Sequence, residues 1–155
     1  MSLFHTLGRC YCRGEAWVAT LAPLFALAAR LFVAKAFFLS GLTKIRDWDT
    51  TLLLFTQEYH VPILSPAIAA PLATAGELVL PVLLVLGLFG RFAAAGLFVL
   101  NAVAVISYPG LEAVEIKDHV LWGVLLAYLL IHGCGNWSLD RFWQRQCRAR
   151  PQTKE

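Results

Sequence analysis

The sequence predicts an all-α membrane protein: a four-transmembrane-helix bundle with an amphipathic helix in the outer loop between helices 1 and 2. Three observations lead there. The 155 residues are 59% hydrophobic and only 15% charged, with a mean hydropathy of +0.66, outside the usual balance of a soluble domain. Four apolar runs approach the roughly 20 residues that a helix needs to cross about 30 Å of hydrocarbon. No stretch alternates with period two over the ~10 residues of a barrel strand. Backbone in lipid must satisfy its own hydrogen bonds, so helices are the solution that remains.

The first run is Trp17 to Ser40 and the second is Ala67 to Phe89, both long enough to span. The third, Phe92 to Tyr108, carries no charge, and the fourth, His119 to Trp137, is the shortest in its strictly apolar part. Apolar residues surround each run instead of forming one stripe, as expected of helices in lipid. Arg9, Arg13 and the triplet Ala26-Leu27-Ala28 could together pass for a cleaved signal peptide, but the apolar run continues to Ser40, which a cleaved segment would not require. Between the first two runs, Leu52, Leu53, Phe55 and Tyr59 recur at roughly helical spacing, which predicts the amphipathic loop helix.

Orientation follows from Lys and Arg in the connections. Arg9, Arg13, Arg91, Arg141, Arg145, Arg148, Arg150 and Lys154 lie on one side, and Lys44, Arg46 and Lys117 on the other. The first side is therefore expected to be cytoplasmic, with both termini there, and the protein to lie in a bacterial inner membrane. The expected organisation is a single membrane domain over 1–155, with an N-terminal cytoplasmic segment (1–16) and a basic cytoplasmic tail (138–155). The net charge of +3 is concentrated in that tail, "RFWQRQCRARPQTKE", which suits anionic headgroups and is no nucleic-acid footprint.

Charges inside the apolar runs are the candidate site. Glu77 lies near the middle of the second run, Arg30 at a matching count from the outer end of the first, and Asn101 midway along the third. Antiparallel helices would then bring Arg30 and Glu77 together, with Asn101 completing an intramembrane polar cluster, because isolated ionised groups at that depth are costly and pairing offsets part of the cost. Lys35 is expected to snorkel to the outer interface. Pro71 and Pro81 bracket Glu77 and could bend the helix around a cavity. On the outer side, Lys44, Asp47, Glu58, His60, Asp118 and His119 form a second polar group, with carboxylates and imidazoles suited to proton transfer with a quinone or to loose metal binding. Cys10 and Cys12, two residues apart, could chelate a soft metal with His5 or Cys147, or form a strained disulfide; Cys134 shares the predicted cytoplasmic side, where structural disulfides are disfavoured. No catalytic residue is assigned. There is no haem ligand pair, dinucleotide fingerprint or flavin motif, so no tightly bound redox cofactor is expected.

"FLSGLTKIRDW" (38–48), "EYHVP" (58–62), "LATAGELVLPVLLVLGLFGR" (72–91), "DHVLWGVLLAYLL" (118–130) and "LDRFW" (139–143) together resemble the DoxX family of small bacterial inner-membrane proteins. The resemblance implies four transmembrane helices. It places the family's recurring polar pattern on Arg30, Lys44, Asp47, Glu58, Glu77, Arg91 and His119, without giving any of them a role. Family members resemble the membrane subunit of thiosulfate:quinone oxidoreductase, or are linked to thiol and oxidative-stress complexes and metal handling. The expectation is a quinone-linked redox or thiol/oxidative-stress accessory subunit, as a subunit of a quinone-dependent oxidoreductase. The alternatives are a scaffold docking redox or metal-stress partners, or a metal-handling protein using the Cys-x-Cys. Expected partners are the lipid bilayer, such proteins or a second copy of the chain, and not nucleic acid.

Overall fold

The computed structural model describes the backbone of residues 2–149 and the side chains of residues 19–146. Six helices and no strand occur among the described residues: α1 (Ser2–Arg46), α2 (Trp48–Gln57), α3 (Pro66–Leu86), α4 (Gly90–Ser107), α5 (Ala113–His132) and α6 (Leu139–Ala149). α1 runs past the expected end at Ser40 because Gly41 is no stop signal here. A Cβ at Gly41 would lie 2.9 Å from Leu78 Cγ and 3.1 Å from Glu77 Cβ. The missing side chain lets α1 and α3 approach closely.

Each turn has a local cause. The Asp47 carboxylate caps α2, accepting from the Thr50 N–H at 3.0 Å and the Thr50 hydroxyl at 2.7 Å. Pro66 opens α3, where a missing N–H costs nothing. α3 closes on Gly87 in the left-handed region (φ 64°), with Leu88 N–H donating to Leu83 O and Gly87 N–H to Leu84 O, the Schellman arrangement. Glu112 and Glu115 form a reciprocal capping box at the start of α5.

α1 packs on α3, α3 on α4, α4 on α5 and α5 on α1, which closes a four-helix ring; α2 lies against α1 and α3. The shared core is Val33, Phe37, Leu84, Ala93, Ala94, Leu97, Leu126 and Leu129 with small residues between them. A smaller cluster of Phe55, Ala69 and Ala70 holds α2 down. We call the end with α2 the loop end and the end with α6 the tail end.

Three helical segments are long and apolar enough to cross a membrane: Ala19–Arg46, Pro66–Leu86 and Gly90–Ser107. α5 has 20 residues but carries Glu115, Lys117 and Asp118 in its first two turns, which leaves an uncharged stretch of about two-thirds of the length a span requires. The outer surface is apolar, with Phe32, Leu72, Val99 and Val124 more than half exposed. Such residues fit lipid contact and would be a liability in water.

Candidate functional site

Arg30 is fully buried, and its guanidinium is used up by main-chain oxygens. Nε donates to Ala26 O (3.4 Å), Nη1 to Val85 O (3.2 Å) and Nη2 to Trp137 O (2.8 Å). Val85 O is one of the last carbonyls of α3 that the Schellman turn leaves without an intrahelical donor. Arg30 therefore ties α1, the end of α3 and the segment before α6 into one knot. Asp140, from α6, completes it. Its carboxylate accepts from Phe89 N–H (2.9 Å) and Gly90 N–H (2.8 Å), capping the start of α4, and its own N–H donates to Gly87 O. Arg91 closes the same end by donating to Ile131 O at 3.1 Å.

Glu77 has a different partner from the one expected. Lys44 Nζ donates to its two oxygens at 2.7 and 3.0 Å and to Ser40 Oγ at 2.9 Å. The side chains are only 18% and 13% exposed. The expected Arg30–Glu77 pair is thus corrected: Arg30 sits at the level of Val85 and Glu77 just over two turns away, about 12 Å along α3. Depth counted from the edge of an apolar run failed because α1 does not stop at Ser40. Its last turns include Lys44, whose charge ends the run in the sequence but is neutralised in the fold. The same shift moves Lys35, five positions after Arg30, towards the tail end instead of the outer interface, about 8 Å from the Arg30 level.

Asn101 joins neither Arg30 nor Glu77. It is buried on α4 and faces His119 of α5, its Nδ2 donating to His119 O at 2.9 Å while its Oδ1 lies 2.8 Å from His119 Nδ1. Because a carbonyl can only accept, the amide nitrogen must face His119 O. Oδ1 then faces the ring, and Nδ1 must carry the proton. In the uncharged ring Nε2 is left as a lone-pair acceptor, and it has no hydrogen-bond partner among the described residues. The imidazole stands edge-on to Trp122 (centroids 5.0 Å), which in turn meets Phe37 of α1 (5.7 Å). Gly123 makes room: a Cβ there would lie 3.3 Å from Asn101 Nδ2.

Packing contacts set this pair level with the ion pair. Gly76 faces Leu100 and Gly96 faces Leu80 across α3 and α4, so Asn101 lies within about one turn of Glu77 in depth. Two polar pairs therefore cross the loop-end half of the bundle at similar height, one held by α1 and α3 and one by α4 and α5.

The remaining residues of the expected outer-side group have separate surroundings. Asp47 caps α2, and the bonds from Thr50 hold its carboxyl below the usual value. Glu58 is exposed and ends α2. His60 is exposed; Nδ1 donates to Glu58 O and its N–H to Ser107 O. Asp118 is exposed. Tyr59 stacks edge-on with Phe55 and Tyr108, and burial pushes its phenol up. Beside it, Ser107 Oγ is buried without a partner among the described residues.

Among the described residues no group of three or more His, Cys, Asp or Glu could hold a metal. The Cys10, Cys12 and His5 side chains, and that of Cys147, lie outside the described residues. Cys134 is buried against Gly90, and burial pushes its thiol up while Arg30 pulls the other way. Asp140 is not among the site residues that the sequence predicts. Its signal was Ser138, whose hydroxyl accepts from Arg141 N–H at 3.3 Å as a helix cap does, which marks a helix start inside the supposed tail.

The DoxX family model matches residues 25–109, more than half of the chain. That stretch contains Arg30, Lys44, Glu77 and Asn101, and stops before His119 and Asp140. No curated protein and no solved structure gives a significant match. On the strength of the matched segment and its apolar helices, this chain belongs to the DoxX family and is a multi-pass membrane protein.

Proposed function

We propose that the protein is a quinone-linked redox accessory subunit of the bacterial inner membrane, serving thiol or oxidative-stress chemistry, and that His119 Nε2 accepts a hydrogen bond from the reduced, quinol form. One observation carries this reading: Asn101 fixes the His119 tautomer, which leaves Nε2 free as an acceptor beside the Trp122 ring. A quinone reduced by thiosulfate or a thiol takes up two electrons and two protons, and the hydroxyl of the quinol so formed donates to a hydrogen-bond acceptor next to an aromatic face. His119 and Trp122 fit that need. Asn101 orients the ring, and the nearby Lys44–Glu77 pair provides a polar layer at similar depth.

The reading takes α1, α3, α4 and α5 as four spans of one domain, α5 entering at its charged first turns. Both termini are placed in the cytoplasm, α2 lies amphipathically on the outer face and α6 on the inner. The 8-to-3 excess of Lys and Arg on the tail side supports that orientation.

The test uses His119→Asn. The Asn amide can still donate to Asn101 Oδ1, as Nδ1 does, but the Nε2 acceptor is gone. Quinone reduction by thiosulfate or a thiol is measured in membrane vesicles at equal protein level. At least a tenfold drop, the worth of one hydrogen bond of about 1.4 kcal/mol, is expected. Unchanged flux would remove the proposal. A scaffold reading has one observation in its favour: Phe142 and Trp143 of α6 are exposed, as a docking edge would be. That reading predicts a co-purifying soluble protein lost on removal of residues 139–155, with quinone flux independent of His119.

A further inference from the structure

A cavity of about 330 Å³ opens on the lipid-facing side of the α1–α3 seam, the size of a small-molecule site. Leu31, Ala34 and Phe38 form one wall and Pro81, Val82 and Val85 the other. Its one charged lining residue is Lys35. Lys35 is exposed and has no hydrogen-bond or salt-bridge partner among the described residues. It differs in this from Arg30, Lys44 and Arg91, each of which donates to a protein group.

Depth decides what such a site takes. Lys35 is about 8 Å from the Arg30 level, which coincides with the last turn of α3. Side chains on a helix lean towards its N-terminus, which for α1 is the tail end. The ammonium therefore reaches towards the headgroup boundary of the leaflet at that end, while the groove runs deeper along the acyl region. An apolar channel with a single cation at its headgroup-side end matches a chain with a single anion at its head.

We propose that this groove binds one anionic phospholipid of the tail-end leaflet, an acyl chain lying between α1 and α3 and the phosphate resting on Lys35. The proposal needs only that the chain spans the membrane; it is independent of the quinone reading and of which side is cytoplasmic. Phosphatidylcholine also has a phosphate, but its own choline competes with the ammonium, so the site discriminates by net headgroup charge.

The test is native mass spectrometry of the full-length protein in detergent with equimolar dioleoyl phosphatidylglycerol and dioleoyl phosphatidylcholine. The wild type should retain one phosphatidylglycerol in preference to phosphatidylcholine by about fivefold, the worth of one basic residue at an anionic surface. Lys35→Met should bring the ratio near one and Lys35→Arg should keep it. Ala34→Leu, which fills the groove, should lower retention of both lipids. Arg141→Gln with Arg145→Gln should leave the ratio unchanged. No preference in the wild type, a preference surviving Lys35→Met, or one abolished by the Arg141 and Arg145 changes would overturn the proposal.

Discussion

Replacing Lys44 and Glu77 separately and together tests how the loop-end half of the bundle is held. At 2.7 Å and an effective dielectric near 20, the Coulomb attraction is about 6 kcal/mol before desolvation. Loss of hydration offsets a large share, so the pair itself adds little over apolar residues of the same shape. Breaking it is another matter. Lys44→Met leaves a carboxylate that is 13% exposed with no cation, and Glu77→Met leaves the ammonium with only Ser40 Oγ; each should cost about 3 kcal/mol. The double variant should come within about 1 kcal/mol of wild type, giving a coupling of several kcal/mol. The assay is reversible unfolding in mixed micelles by titration with sodium dodecyl sulfate, followed by helical circular dichroism. Single variants that cost under about 0.5 kcal/mol and add independently would show that the pair is solvated, and the buried polar layer would have to be given up.

Three further outcomes follow from the tail end and from α2. Arg30→Met should destabilise by about 3 kcal/mol or more in the same titration, and Arg30→Lys should rescue little, since one ammonium cannot serve three carbonyls in a fork. Gly90→Ala places a Cβ against the Cys134 sulfur and should cost roughly 1–3 kcal/mol by overpacking, partly restored by Cys134→Ala in a thermal-shift measurement. Asp47 has a folded pKa below its ordinary 3.8, so its contribution is complete above that value and lost as pH falls through the lower folded value. Amide exchange in α2 should accelerate across that acid window in the wild type, and Asp47→Asn should flatten the dependence.

The polar residues inside the apolar runs were legible because a membrane helix seldom keeps Glu77, Arg30 or Asn101 without a reason. Their partners were not. Partner choice depends on where helices end, and extending α1 by six residues past Ser40 slides its register by about 9 Å, which removes Arg30 from the level of Glu77; Lys44, whose Nζ also reaches back to Ser40 Oγ, takes its place. Asn101 was expected to join the same cluster. Its outward turn towards α5 depends on Gly123, a residue with no chemical signal in a linear reading. Asp140 acts fifty residues away in sequence; the Ser138 cap marks a helix start there but not the contact with the start of α4. α6 carries an amphipathic pattern in its sequence, with Leu139, Phe142 and Trp143 one turn apart, but its Arg residues read as a basic tail against anionic headgroups and hide the helix.

The account turns on His119 Nε2 accepting from the hydroxyl of a quinol. Illumination of membranes with a photoreactive quinol analogue, kept reduced, followed by peptide mapping, tests it most directly. The account predicts a label on the α5 peptide containing His119 and Trp122, displaced by excess ubiquinol and reduced at least tenfold in His119→Asn. Labelling confined to other helices, or equal labelling in wild type and His119→Asn, would contradict it.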